Sequence, residues 1–402
     1  MALLVDDRRN KLNKTESVLV LQGGGSLGAY ECGVYKSLYK HGIEFDILAG
    51  SSIGAINTSI ITAGQNGNKD VSLLLEDFWL SLSENMEYSD FIFPLPNISA
   101  DKLRSILFSM YSYYYGIPKA FIPKWFMPSS PDYFLPFKWN FLYDKTPLKK
   151  TLMEYIDFNN LKRIEINQNN SKKNGENKKQ KRLIITSTDM QRGEAVIFDN
   201  AKMDIDVDNI VAGASYPFYG IRWTEDEGQY LWDGSLLTNT PMLEVLKASP
   251  KINKIFYIVD VFPRIQKKIP ENMIEVWHRA RDIIFMDKTD KNIEMLRVVE
   301  SSLNLVKKMY DIINSKDTKI DQKTKEKLKE LDEEYNSITE KHGASLTDVI
   351  RIGRKEDKLH YLLEDADFSK YRIKELIAEG EKNADQVISK NKETNKESYN
   401  IK

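Results

Sequence analysis

The chain has 402 residues, with 58 Lys and Arg against 59 Asp and Glu. That length leaves room for two or three domains around a sizeable core, and the even charge removes the electrostatic footprint of a nucleic-acid binder. A single cysteine, Cys32, excludes an internal disulfide and a multi-cysteine zinc site and suits a reducing compartment. The opening run Met1–Val5 is far short of a signal-peptide core or of the roughly 20 apolar residues of a membrane span. The expectation is a cytoplasmic protein, with peripheral membrane association or signal-independent secretion left open.

Residues 1–15 are polar and without period, and read as a frayed N-terminus. Val18-Leu19-Val20-Leu21 is a continuous apolar run halted by Gly23-Gly24-Gly25, the pattern of a buried strand entering a tight turn. Tyr30 to Lys40 repeats apolar residues at helical spacing and closes with His41-Gly42. Phe45 to Ala49 reads as a second strand, and Ile53 to Ala63 as a second helix of small and apolar residues. A βαβα opening of this kind predicts a parallel sheet.

From 87 to 145 the period is lost and prolines and aromatics crowd together, which reads as an insertion. Residues 168–182, rich in Lys, Asn and Gln, are too polar to be buried and read as an exposed loop. Strand patterns return at Leu183 to Ser187, Ala195 to Phe198, Tyr230 to Trp232 and Ile255 to Val259, with the sheet ending near Pro263. Beyond it, 263–390 reads as helical and 391–402 as a disordered tail.

Two glycine motifs carry chemistry. Gly23-Gly24-Gly25-Ser26-Leu27-Gly28 satisfies G-x-G-x-x-G between a strand and a helix, the context of a dinucleotide fingerprint. The acidic residue that should close the second strand is missing, because that strand ends in Gly50-Ser51-Ser52. What stands there is Gly50-Ser51-Ser52-Ile53-Gly54, a G-x-S-x-G nucleophile elbow that exposes Ser52 at the sheet edge, beside the positive end of the next helix. The first glycine turn, on the adjacent strand, then aims backbone N–H groups at the same crevice, as an oxyanion hole requires.

A base is still needed. The histidines are His41, His278, His342 and His360, and only His278 is a formal candidate; beside Trp277 on an amphipathic segment it reads more simply as a packing residue. Asp233 terminates the strand Tyr230-Leu231-Trp232, and Gly234 lets its carboxylate sit in a tight turn at the sheet edge. An Asx-turn cap is its structural alternative.

The blocks Gly23 to Gly28, Gly50 to Gly54 and Asp233-Gly234-Ser235 together resemble those of the patatin-like phospholipase family. Ala214-Ser215-Tyr216-Pro217-Phe218 and Asn239-Thr240-Pro241 extend the resemblance, which covers about 16–262. It implies a three-layer α/β fold with a mostly parallel central sheet flanked by helices. It also implies a Ser52–Asp233 dyad, an oxyanion hole over Gly23, Gly24, Gly25 and Ser26, no metal or other cofactor, and hydrolysis of lipid acyl esters. The leucine form of the loop, followed by Ala29-Tyr30, is similar to a bacterial subset with a helical C-terminal extension, here 263–402. Two positions depart from the pattern: Leu27 stands where many members carry a basic residue, and Ser235 where glycine or alanine is usual.

The expected partner is therefore a phospholipid or another acyl-ester lipid. A storage polyester or an acyl thioester would meet the same dyad, and a non-catalytic lipid-binding module is the alternative class. The insertion's aromatics, Phe91, Tyr114, Trp125 and Phe137 among them, are read either as an acyl channel or interfacial lid, or as packing against the sheet and C-terminal helices. Lys119, Lys124 and Lys138, interleaved with these rings, suit anionic headgroups. The C-terminal helices are read as a buttress or an oligomerisation surface.

Overall fold

A computed structural model describes residues 15–83, 100–128, 133–164, 179–250, 252–267, 269–313, 327–328, 330–331, 333–338, 346–354 and 363–399. In chain order, β1 (Thr15–Leu21) leads through a 3-10 turn (Gly25–Leu27) into α1 (Gly28–Lys40), then β2 (Ile47–Ser51), α2 (Ile53–Asn66) and α3 (Val71–Ser83). The insertion contributes α4 (Ala100–Tyr115), β3 (Ile122–Pro123) and β4 (Tyr143–Asp144), and α5 (Thr146–Tyr155) follows. Next come β5 (Arg182–Asp189), β6 (Glu194–Asp199), α6 (Val207–Gly213), β7 (Thr224–Asp226), β8 (Gln229–Asp233), α7 (Met242–Ala248) and β9 (Asn253–Asp260). The C-terminal region holds α8 (Met273–Phe285), α9 (Thr289–Ile313), β10 (Leu346–Gly353) and α10 (Lys370–Tyr399).

The main sheet has the order β10-β9-β1-β2-β5-β8-β7, with β6 also paired to β5. It is mixed: β2 and β5 run parallel, while β5 pairs antiparallel with both β6 and β8. All six strand patterns of the sequence lie in this sheet. It does not close near Pro263, because Leu346–Gly353 returns as an edge strand among helices. The insertion is not aperiodic throughout, since α4 spans 16 residues of it. Of the polar loop expected over 168–182, residues 168–178 lie outside the described residues; its end is tied down, with Lys179 and Lys181 bonding Asp46 and Glu44 at 2.7 and 3.1 Å. The helical C-terminus continues in α10 to Tyr399, past the expected start of the tail.

The chain divides into two compact units. One comprises Met1–Val18, Met242–Tyr257 and Lys288–Ile350. Within it the buried Lys254 ammonium lies 2.9 Å from Glu16, whose carboxylate also accepts from the Ser249 hydroxyl. The other comprises Leu19–Pro241, Ile258–Asp287 and Arg351–Lys402, and holds every motif residue named above except those outside the described residues.

In this second unit, α10 lies along α1 at a separation set by two glycines. A Cβ on Gly33 would run into the Ile377 carbonyl, and one on Gly380 into the Tyr30 carbonyl. Polar contacts fix the register: Ser37 Oγ donates to Asp385 at 2.7 Å, His41 lies 2.9 Å from the same carboxylate, and Lys36 pairs with Glu381 at 2.6 Å. The extension is thus part of the packing that carries the glycine loop. On the other side of α1, buried Asn57 of α2 donates to the Gly28 carbonyl and to Glu31, and accepts from the Trp79 indole.

Candidate active site

The sheet register brings the two far-apart motifs together. Ser51 at the end of β2 pairs with Thr186, and the next residue of β5, Ser187, pairs on its other side with Asp233 at the end of β8. The elbow and the acid block therefore stand at one level on either side of β5. Close packing at both turns explains the glycines. A Cβ on Gly54 would run into the Leu21 carbonyl and lie 2.6 Å from that of Gln22, while one on Gly234 would strike the Thr186 carbonyl.

Ser52 has φ 53 and ψ -126, a conformation costly for a residue with a side chain, and it caps α2. Its hydroxyl donates to Asp233 Oδ2 at 2.6 Å. The other carboxylate oxygen, Oδ1, accepts the Ser235 N–H at 2.8 Å. The segment closing α6 steadies both partners, since the Gly213 carbonyl accepts the Ser52 N–H and the Ser215 carbonyl accepts the Asp233 N–H, each at 3.0 Å. Asp233 is fully buried, and burial pushes its carboxyl up to about 6. Hydrogen bonds from Ser52 and Ser235 and the charge of Lys145 pull the other way.

The glycine loop sits against this pair. A Cβ on Gly23 would lie 2.6 Å from that of Ser52. The Gly23 N–H is committed to Asn239 Oδ1 at 2.8 Å, and Asn239 Nδ2 donates to the Phe285 carbonyl at 2.7 Å. Ser26 turns its hydroxyl away, to the Glu364 carbonyl at 2.7 Å. Leu27 is fully buried, so an apolar side chain in the core occupies the departure from the family pattern. Gly25 has φ 57, and a Cβ there would strike the Asp365 carbonyl. The segment 363–367 is in turn held by buried charges. Arg281 donates to Asp365 at 2.5 Å and to Asp282 at 3.0 Å, Arg354 grips Glu364 at 3.1 and 3.0 Å, and Arg372 reaches the same carboxylate at 2.9 Å.

The other sequence candidates fall elsewhere. His278 Nε2 accepts the Leu363 N–H at 2.9 Å in a buried position, so it is a packing residue of that clamp. His342, His360 and Phe91 lie outside the described residues. Tyr114 and Trp125 belong to a ring cluster with Phe126 and Tyr143, while Phe137 stands on a separate exposed turn. Lys124 is buried against the Phe141 ring at 4.2 Å, so it does not face headgroups. The aromatics beside the glycine loop are instead Phe262, which would lie 3.6 Å from a Cβ on Gly24, then Phe285 and Tyr216, ring centroids 5.7 and 5.8 Å apart in succession. Composition did not single them out, because they lie outside the aromatic-rich stretch and come from three separate parts of the chain.

Solved structures similar to this chain include VipD from Legionella pneumophila, at 12% identity over 94% of this chain and 67% of that one, with a TM-score of 0.37. Full-length ExoU of Pseudomonas aeruginosa, solved with SpcU, is similar at 14% identity over 67% of this chain and 48% of that one, with a TM-score of 0.24. The chain thus spans about two thirds of the first and about half of the second. A family model described as patatin-like phospholipase matches residues 19–246, and one described as patatin phospholipase matches 283–400. The first match alone takes in more than half the sequence, together with both turns that β5 holds side by side, and on that ground the chain belongs to the patatin-like phospholipase family, as a lipid ester hydrolase.

Proposed function

We propose that the chain is a serine acyl hydrolase of phospholipase A or lysophospholipase type, working through Ser52 and Asp233. The observation that carries this reading is the 2.6 Å hydrogen bond from a strained elbow serine to a buried carboxylate. Asp233 takes the Ser52 proton as Oγ bonds to the ester carbonyl carbon, and the carbonyl π pair moves onto oxygen. The Gly24 and Gly25 N–H groups receive that oxyanion, the Gly23 N–H being held by Asn239. Collapse expels the alcohol, which takes the proton back from Asp233. Water then attacks the acyl-serine, passes a proton to Asp233, and releases the fatty acid as Ser52 is reprotonated. A carboxylate with the reference pKa of about 3.9 is a poor base for an alcohol; one pushed up to about 6 by burial is better matched.

Labelling the full chain with a fluorophosphonate and mapping the modified peptide tests this reading. The adduct is expected on Ser52, and Ser52→Ala is expected to abolish both labelling and turnover of a short-chain acyl ester. Turnover retained by Ser52→Ala overturns it.

The apolar surfaces support contact with a lipid surface. Helix α8 turns His278, Arg281 and Asp282 inward and Met273, Val276, Trp277, Ile283 and Ile284 outward, the reverse of an ordinary surface helix. Its last residue, Phe285, is bonded to Asn239 beside the glycine loop. A helix with an outward apolar face of this kind suits the plane of a bilayer surface; no helix among the described residues is long and apolar enough to cross a membrane. Replacing both Trp277 and Ile284 by Ser is expected to weaken sedimentation with phosphatidylcholine–phosphatidylglycerol vesicles about tenfold or more, leaving turnover of a soluble ester unchanged. Unaltered vesicle binding contradicts the assignment of this face.

A further inference from the structure

Lys145 ends the aromatic insertion, one residue past β4. It is almost fully buried, and its Nζ donates to the hydroxyls of Ser215 and Thr224, the latter at 2.5 Å. Neither acceptor is incidental to the site. Ser215 presents its carbonyl to the Asp233 N–H and its hydroxyl to the Val211 carbonyl at 2.6 Å, and it follows the Gly213 carbonyl that holds the Ser52 N–H by two residues. Thr224 belongs to β7, where it pairs with Leu231 of the strand that ends in Asp233. One ammonium therefore ties together the insertion, the turn after α6 and the outer strand. Among the described groups, Asp233 is the buried carboxylate of the site whose ionisation its charge favours. An ammonium brought into such a place loses hydration that two hydroxyl acceptors only partly replace, so burial favours its neutral form.

We propose that Lys145 is a positioning residue for the hydrolysis: its buried ammonium fixes the Gly213–Ser215 turn that holds both Ser52 and Asp233, and supplies the positive charge that keeps the Asp233 carboxylate ready to accept a proton. This rests on the Ser52–Asp233 reading and adds to it a second titrating group. Burial draws the Lys145 ammonium down to about 7, assisted by Lys149 and Arg222 and opposed by Asp208 and Asp144. Lys149 is itself paired with Asp208 of α6. The cation is therefore present below about pH 7 and lost above it, whereas Asp233 is ready as a base only above about pH 6. The consequence is a narrow bell of activity whose acid limb belongs to the aspartate and whose alkaline limb belongs to the lysine.

The test is the pH profile of kcat and KM of the full-length chain on a water-soluble short-chain acyl ester, between about pH 5 and about pH 9. In Lys145→Met, kcat is expected to fall about 10²-fold with KM unchanged, because the side chain touches no substrate. The alkaline limb should vanish, and the acid limb should move to higher pH as Asp233 loses its cation. Lys145→Arg retains the charge and should restore part of kcat, with the acid limb in its original place and no alkaline limb in range. Thr224→Val, a milder change, removes one acceptor and should move the alkaline limb to lower pH. A merely structural lysine would lower activity in Lys145→Met with both limbs unmoved, and that result in the Met and Val variants overturns the proposal. Should Ser52→Ala keep its turnover, the dyad itself fails, whatever the Lys145 variants do.

Discussion

Asp233→Asn is expected to lower kcat/KM for acyl esters about 10³-fold without unfolding the chain. The amide keeps the volume of the carboxylate and can still hold the Ser235 N–H, but it cannot take a proton from Ser52, so the loss should fall on kcat. Stability should move the other way. The folded-state pKa of Asp233 is raised from 3.8 to about 6 by burial, so the folded chain binds more protons than the unfolded one between those values. Holding a buried anion then costs stability as pH rises through that window, and the cost persists above it. The Asn variant should therefore melt at or above the wild-type temperature above about pH 6 and show little difference near pH 3.8. Thermal melts at both pH values, read beside ester turnover, check the two halves together. An active Asp233→Asn chain would remove the aspartate from the chemistry, and an inactive one that is also unfolded near neutral pH would make it structural.

Arg281→Met is expected to have the largest effect on stability, about 3–5 kcal/mol. Arg281 is buried, bonds Asp365 and Asp282, and lies over the Phe262 ring at 5.4 Å. Its removal strands those carboxylates without their cation in a low-dielectric site, where truncating one partner costs far more than the intact pair contributes. Activity should fall as well, because the Asp365 carbonyl is the surface against which Gly25 rests. Arg281→Lys, which keeps the charge but loses the planar fork, should fall between the two. Chemical denaturation followed by circular dichroism, with ester turnover on the same samples, measures both quantities. A Met variant as stable as the wild type would show that the cluster contributes nothing net.

The elbow, the acid block and the strands that carry them were legible in the sequence because their signals are local. Glycines are dictated where a backbone must pass a carbonyl, as at Gly54 and Gly234, and buried strands announce themselves as apolar runs such as Leu183 to Ile185. The clamp behind the loop left no such mark. Arg281 and Asp365 meet across 84 residues of chain, and neither side chain differs in the sequence from dozens of surface charges. Lys145 was hidden for the same reason. Helix α8 shows a different limit: its periodicity was plain, but period alone does not say which face turns inward, and here the charged one does. The insertion shows the same limit, since its crowded aromatics suit an acyl channel, an interfacial lid or packing alike, and composition does not tell that Tyr114 and Phe137 are exposed.

The seating of α10 along α1 bears on how the enzyme is made. Ser37 and Asp385 are separated by 348 residues, so the groove on α1 that Gly33 opens stays vacant until that length of chain has been made. Contacts of such long range are slow to form and leave apolar surface bare in the interim. The glycine loop therefore gains its backing late, only once a helix made 348 residues after Ser37 has folded back onto α1.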